Sequence, residues 1–301
     1  MVNSPHLDKL KAALLNKKCS ETDKELISKS IKLYHTWISK MDKLDSKGQQ
    51  RVNEMVDLLN WYKDEFEIGL IMKQGSPFLK RQKGQLKLDS SIIEEFLIYL
   101  INPNVIKGMD KLENINDLIV GPTNTFMSLA FFPKSFEDLI NKPDVILKTK
   151  DQDFIIGSKI FYKFSSTQNF EKNHTVEGNF ALALLAAECK VNLDKTMFQE
   201  AAGTAFRLKQ GCPISKYFLL VEYLDMQPED SRLTAIDNVF LLRRAKRLPF
   251  EKRDNIVSVE KQRKEFPIDK EVVWRFVQEI QTFFESILYD HSSALKRGSF
   301  S

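Results

Sequence analysis

Phe180-Ala181-Leu182-Ala183-Leu184-Leu185-Ala186-Ala187-Glu188-Cys189-Lys190-Val191 decides how this chain is read. From Phe180 to Ala187 the run carries no charge. The turn signal Gly178-Asn179 precedes it, so it reads as a strand buried on both faces. Two charges then arrive two residues apart. In a strand, residues i and i+2 point to the same face. Glu188 and Lys190 therefore sit side by side at a strand end, an acid suited to a metal beside an amine suited to a phosphate. Glu-x-Lys occurs by chance in many chains, and a strand-end salt pair is its ordinary explanation. The apolar run in front of it changes the balance, because a doubly buried strand rarely carries two charges without a use.

Downstream, Asp194 is an N-cap residue for a helix from Lys195 to about Lys209, and Gly211-Cys212-Pro213 stops it. Tyr217 to Leu224 is an apolar strand. Strand, helix and strand at this length imply a right-handed crossover and parallel pairing. Val239 to Leu242 is a further strand, and Asp269 to Leu288 a closing amphipathic helix. Upstream, Phe154 to Phe164 pairs with 180–191 as a long-looped hairpin, with 154 opposite 190. Val145-Ile146-Leu147 is the strand before it. Ser91-Ile92-Ile93-Glu94 is a capping box that opens a helix through Ile101, where Asn102-Pro103 ends it. Residues 7–72 carry the 3.6-residue apolar period of helices, from Leu26 to Met41 and again from Val52 to Phe66, separated at Ser46-Lys47-Gly48. Gly75-Ser76-Pro77 breaks the pattern, and Phe78 to Asp89 is basic and loop-like. The expected organisation is a helical region over 1–75, for DNA recognition or dimerisation, and an α/β (α+β) domain over 76–301. The core of that domain has the order αβββαβ.

The 301 residues are 43% hydrophobic and 29% charged, with a formal net charge of +4, ordinary for a globular protein. Charge is local instead. Residues 75–87 hold four basic residues and no acid, and 243–253 hold six against the single acid Glu251. Such clusters suit a DNA-contacting face or a solvated surface. Cys19, Cys189 and Cys212 form no CxxC pair, and the four histidines His6, His35, His174 and His291 show no ligand spacing. No signal-peptide core and no membrane-length apolar run is present, so a cytoplasmic protein without a membrane partner is expected.

A Glu-x-Lys on the third strand of an αβββαβ unit resembles the core of the PD-(D/E)XK nucleases. Phosphodiester hydrolysis needs a metal-activated water and stabilisation of charge on the phosphate. Glu188 would supply a carboxylate to Mg²⁺, the Cys189 carbonyl a neutral ligand, and Lys190 the cation that orients water. A second carboxylate must face Glu188. Pro143-Asp144 precedes the hairpin and is set aside. Asp153, at the hairpin start, comes first. Asp151 follows it, then Glu177, eleven residues before Glu188. A one-residue slip would exchange their faces. Glu94 serves the capping box, with a contact near the metal site as its lesser reading. Lys195 at a helix start opposes the macrodipole, which suggests a DNA phosphate as its partner.

The block Glu188-Cys189-Lys190-Val191-Asn192-Leu193-Asp194-Lys195-Thr196-Met197-Phe198-Gln199-Glu200, with Lys216-Tyr217-Phe218-Leu219-Leu220-Val221-Glu222, resembles the BbvCI-like type II restriction endonucleases. Gly84-Gln85-Leu86-Lys87-Leu88-Asp89 and Lys150-Asp151-Gln152-Asp153-Phe154 fit the same group. The resemblance implies a Mg²⁺-dependent enzyme that cuts double-stranded DNA at a short asymmetric site of the CCTNAGC kind. It also implies two related, non-identical subunits, each cutting one strand, with a homodimer as the variant. Arg243, Arg244, Lys246, Arg247 and Arg253 would contact phosphate or guanine. The alternatives are a repair nuclease of the same fold and a non-catalytic DNA-binding or assembly subunit.

Overall fold

The computed structural model describes residues 4–107, 109, 118–133, 135–137, 142–287, 295–296 and 298. Its helices are α1 (Pro5–Leu14), α2 (Glu21–Asp42), α3 (Gly48–Lys63), α4 (Pro77–Gln85), α5 (Ser90–Leu100), α6 (Lys195–Gly211), α7 (Ile256–Glu265) and α8 (Lys270–Ile287). Its strands are β1 (Leu118–Phe131), β2 (Val145–Ser165), β3 (Thr175–Leu193), β4 (Lys216–Leu224) and β5 (Asn238–Lys246). They form one mixed sheet in the order β1-β2-β3-β4-β5. The first two neighbouring pairs are antiparallel and the last two parallel. From α5 to β4 this is the expected αβββαβ order, with β5 added at the far edge.

Side-chain alternation along β3 divides the core in two. Leu185, Ala187 and Cys189 face one large cluster with Phe154, Phe218 and Leu220. Helices α2, α3, α5 and α8 supply Trp37, Tyr62, Phe96 and Phe276 to the same cluster. It therefore runs across the expected boundary at residue 75. Ala186 faces the other side, where Ile155, Tyr217 and Leu219 pack under Phe198, Ala201, Ala205 and Leu208 of α6. The small residues of α6 let it lie close to the sheet. Its start is the predicted one: the Asp194 side chain accepts from the Met197 N–H at 2.8 Å.

Helix α2 begins with a reciprocal capping box, Ser20 with Asp23. Helix α3 continues as a π-helical segment over Asp64–Met72, which buries Phe66, Glu67, Ile68 and Ile71.

Several expectations are corrected. The basic stretch after Gly75 is α4, not a loop. Ser76 caps it, accepting from the Leu79 N–H at 3.1 Å, and Pro77 opens it. A Ser-Pro pair reads as a breaker in sequence and works here as N-cap and first helical residue. Ser91-Ile92-Ile93-Glu94 is not a capping box, because α5 starts two residues earlier with Asp89 at its cap. The first core strand is β1, which the sequence reading missed. Val145–Leu147 and 154–164 are parts of the single strand β2. Leu288, the predicted end of α8, lies outside the described residues.

The hairpin also pairs in another register, with Phe154 opposite Ala187 rather than residue 190. Its loop closes at Ser165–Thr175, and the register shifts again between Ile156 and Gly157. A Cβ at residue 157 would stand 2.2 Å from the Leu182 carbonyl oxygen, so only glycine allows the strands to meet there.

Among the described residues no helix is long and apolar enough to cross a membrane.

Candidate active site

The last rung of the β2–β3 ladder is Phe154–Ala187. One residue beyond it, Asp153 and Glu188 come level as the strands part. Asp153 Oδ2 accepts the Cys189 backbone N–H at 3.0 Å. In a strand the N–H and C=O of one residue point the same way. The Cys189 carbonyl therefore also faces the Asp153 side. Lys87 approaches Asp153 Oδ1 at 3.5 Å from the α4–α5 connection, where its own φ is +51°.

Glu188 and Lys190 form a pair at 2.6 Å on the α6 side of the sheet. The Tyr217 hydroxyl on β4 donates to the other Glu188 oxygen at 2.7 Å. Burial alone would raise the Glu188 carboxyl. The Lys190 ammonium, its hydrogen bond and that of Tyr217 outweigh burial and hold the carboxyl below its ordinary value. Burial would lower the Lys190 ammonium, and Glu188 beside it keeps it above its usual value. Burial, then Asp153, push the Cys189 thiol well up, so it stays protonated and unreactive.

The structure brings Asp153, Glu188 and Lys190 together around Cys189. Two hard carboxylates with a backbone carbonyl between them suit Mg²⁺, which takes one or two protein carboxylates and completes its shell with water. Among the described residues no three His, Cys, Asp or Glu side chains already converge as a ligand group.

Glu94 on α5 is buried and paired with Lys9 at 2.8 Å. Its Oε1 has no hydrogen-bond partner. Burial raises the Glu94 carboxyl, Lys9 opposes that, and Asp153 adds to it. Glu94 thus faces the Asp153 side and caps nothing. It shares a cavity of about 450 Å³ with Asp151, Asp153 and Lys9. Asp151 is exposed and accepts from Asn124 at 2.8 Å. Glu177 stands opposite Lys163 far along the hairpin. Eleven residues of strand, roughly 35 Å, separate it from Glu188, so it is not brought to the site.

On the Lys190 side a cleft of about 490 Å³ opens, lined among others by Lys83, Lys87, Lys190, Asn192, Arg247 and Arg253. Arg247 and Arg253 both lean on one carboxylate, Asp225, at 3.3 and 3.6 Å. Lys195 is exposed and 3.9 Å from Glu229. Lys246 is exposed, and its carbonyl accepts from Gln262 at 2.9 Å.

Arg243 is not available to DNA. It is 1% exposed, with Nε donating to Glu222 at 2.8 Å and Nη1 to the Phe266 carbonyl at 3.2 Å. The cause is a bulge: Val221 pairs with Leu241, but Tyr223 pairs with Ala245. Arg244, at φ +47°, absorbs the extra length. Arg243 turns in, and Arg244 turns out onto Asp269 and Glu271, each at 2.9 Å. The sequence reading also missed Tyr217 and Lys87. Tyr217 gives no signal in one dimension, because it reaches Glu188 only through the parallel β3–β4 register.

The family model described as the Bpu10I restriction endonuclease matches residues 85–300. Among solved structures, a chain of the native BbvCI A2B2 tetramer shares the fold. The TM-score is 0.67 at 19% identity, over 96% of this chain and 100% of that one. The comparison with curated proteins found no match.

Proposed function

The chain belongs to the Bpu10I restriction endonuclease family, and on that premise we propose that it is a Mg²⁺-dependent subunit of a type II enzyme that hydrolyses double-stranded DNA at a short asymmetric site, of the CCTNAGC kind. The observation that carries the reading is the meeting of Asp153, Glu188 and Lys190 around Cys189, where the β2–β3 ladder ends. Asp153, Glu188 and the Cys189 carbonyl would hold the metal. Mg²⁺ bound there supplies Lewis acidity and lowers the pKa of a bound water. Lys190 is held by Glu188 until a phosphate arrives. Its ammonium then turns to the phosphate and neutralises charge developing on a non-bridging oxygen. Glu94, buried behind Asp153, keeps Lys9 in place and is not itself a ligand in this scheme.

The cationic cleft beside Lys190 receives the DNA backbone. Arg247 and Arg253 exchange Asp225 for phosphates, and Lys195, Lys246 and Arg244 are outer contacts. Glu67 and Met72 of the π-helical segment line part of that cleft, and the helices of residues 1–75 contribute to recognition or to the contact with a second subunit. One Glu188/Lys190 site serves one strand. An asymmetric target presents different bases to each half, so a related second chain fits it better than a second copy of this one. The four-chain assembly of the BbvCI structure accords with a heteromeric enzyme.

The test is supercoiled plasmid incubated with the lone chain, with and without Mg²⁺, followed by sequencing of the ends. Mg²⁺-dependent nicking at one defined site, lost in Glu188→Ala and Lys190→Ala, is expected. Cleavage by either variant within tenfold of wild type overturns the assignment. Linear product from the lone chain at a defined asymmetric site overturns the two-subunit part alone.

A further inference from the structure

Tyr217 is wholly buried, and its ring lies in the apolar cluster beneath α6. The one polar atom of that side chain is spent on Glu188. Across the parallel ladder Tyr217 pairs with Ala186, two residues before Glu188. Strand side chains lean along the strand, and this lean carries the long phenol to the carboxylate. The two Glu188 oxygens thus have two donors of different kinds. Oε1 takes the Lys190 ammonium at 2.6 Å, and Oε2 takes the phenol at 2.7 Å. Lys190 sits on a flexible stem, with about a quarter of its side chain open to solvent. Tyr217 is clamped by its ring and cannot follow a ligand.

We propose that Tyr217 is a positioning residue for the cleavage reaction, holding Oε2 of Glu188 so that Oε1 keeps its place when Lys190 leaves it for the DNA phosphate. The inference rests on Glu188 being a metal-binding carboxylate of a nuclease site. A carboxylate held by a single mobile ammonium would lose its orientation at the moment the ammonium is drawn away. With the second oxygen anchored in the core, the carboxylate plane survives that exchange. A neutral donor suits this task. It fixes the oxygen without cancelling the charge that attracts a cation. Burial, and then the Glu188 charge, push the phenol far above its ordinary value, so it remains a donor at any working pH.

The support continues outward. The Lys150 ammonium on β2 donates to the Thr204 hydroxyl of α6. Lys150 also adds its positive charge to those that favour ionised Glu188. Neither residue lines the cleft beside Lys190. They act through Glu188 and do not touch substrate.

Tyr217→Phe removes the hydroxyl and keeps the ring. Single-turnover cleavage at saturating Mg²⁺ is expected to fall by about tenfold to a hundredfold, the size of one lost hydrogen bond to a charged group. DNA binding measured with Ca²⁺ in place of Mg²⁺ should stay within about twofold, since the phenol contacts no DNA. The Mg²⁺ concentration that half-saturates cleavage should rise as well, because Glu188 is then held by Lys190 alone. Tyr217→4-aminophenylalanine keeps the ring and a neutral donor, should recover most of the cleavage rate, and keeps the test decisive if Tyr217→Phe folds poorly. A wild-type cleavage rate in Tyr217→Phe, or lost cleavage in folded Tyr217→4-aminophenylalanine where Tyr217→Phe does not fold, overturns the proposal. Failure of the nuclease reading looks different: wild type does not cut, or Glu188→Gln cuts as well as wild type.

Discussion

Glu188 with Lys190 at the end of β3, and Glu222 with Arg243 on β4 and β5, are the same chemistry on opposite faces of one sheet. The second pair is sealed. Glu222 lies between Lys63 and Arg243, both at 2.8 Å, and none of the three is more than 1% exposed. Lys63 also reaches Glu67 at 2.5 Å, and Arg263 of α7 grips Glu67 from the other side. Burial would raise the Glu67 and Glu222 carboxyls, but the surrounding cations hold both below their ordinary values. The first pair is open, with 18% and 24% of its side chains exposed. A sealed pair cannot exchange partners, so it acts as a fastener between the π-helical segment, β4, β5 and α7. An open pair gives up its partner to a metal or a phosphate. Charge at a sheet end is architecture in one place and chemistry in the other, and solvent access separates the two.

Breaking the fastener should produce the largest effect. Glu222→Ala leaves Lys63 and Arg243 buried without their shared anion. A loss of ~3–5 kcal/mol in urea unfolding is expected. A loss below about 1 kcal/mol would show that water reaches the cluster and that the contrast is false. The open site should respond the other way. Glu188→Gln, Lys190→Ala and Asp153→Asn should cost about a hundredfold to a thousandfold in cleavage. Their melting temperatures should stay close to wild type. A variant that loses stability and activity together would move that residue to the structural side of the comparison.

A third group sharpens the rule, because it is sealed without a cation. Glu95 is fully buried and accepts from the His6 N–H at 3.0 Å and the Tyr34 hydroxyl at 2.8 Å. Burial lifts its carboxyl to about 7 against those hydrogen bonds. The folded value lies above the unfolded one of roughly 4.3. The stability it contributes is therefore complete below that lower value and lost as pH rises to about 7. Wild type should lose ~2–3 kcal/mol over that window that Glu95→Gln does not. Parallel pH–stability curves for the two proteins would refute it.

The smallest effect belongs to the half-buried arginines of the cleft. Replacing Arg247 or Arg253 by Gln should leave stability within ~0.5 kcal/mol. Each should reduce the slope of log affinity for DNA against log salt by about 1. An unchanged slope would place the DNA path elsewhere than the cleft beside Lys190.

Local signals carried much of this. The uncharged run into Glu188-Cys189-Lys190, the Asp194 cap and the apolar Tyr217–Leu224 stretch each describe an element from within itself, and each is present. Strand β1 was missed because Gly121-Pro122 and Asn124 read as loop residues. They are tolerated there because β1 lies at the end of the sheet order, with a register shift between Gly121 and Thr123. Glu94 matched a capping pattern in composition, yet the helix starts two residues before that pattern requires.

Sequence by itself determined the core elements from β3 to β4 and the pairing of acid with amine at one strand end, because periodicity, caps and i, i+2 geometry act over a few residues. Tertiary structure decided which charges are open and which are sealed. Arg243 and Arg244 are neighbours in the chain and lie on opposite sides of a bulge. Tyr217 and Glu188 are 29 residues apart and share a hydrogen bond. Register and burial depend on elements distant in sequence, and no local pattern records them.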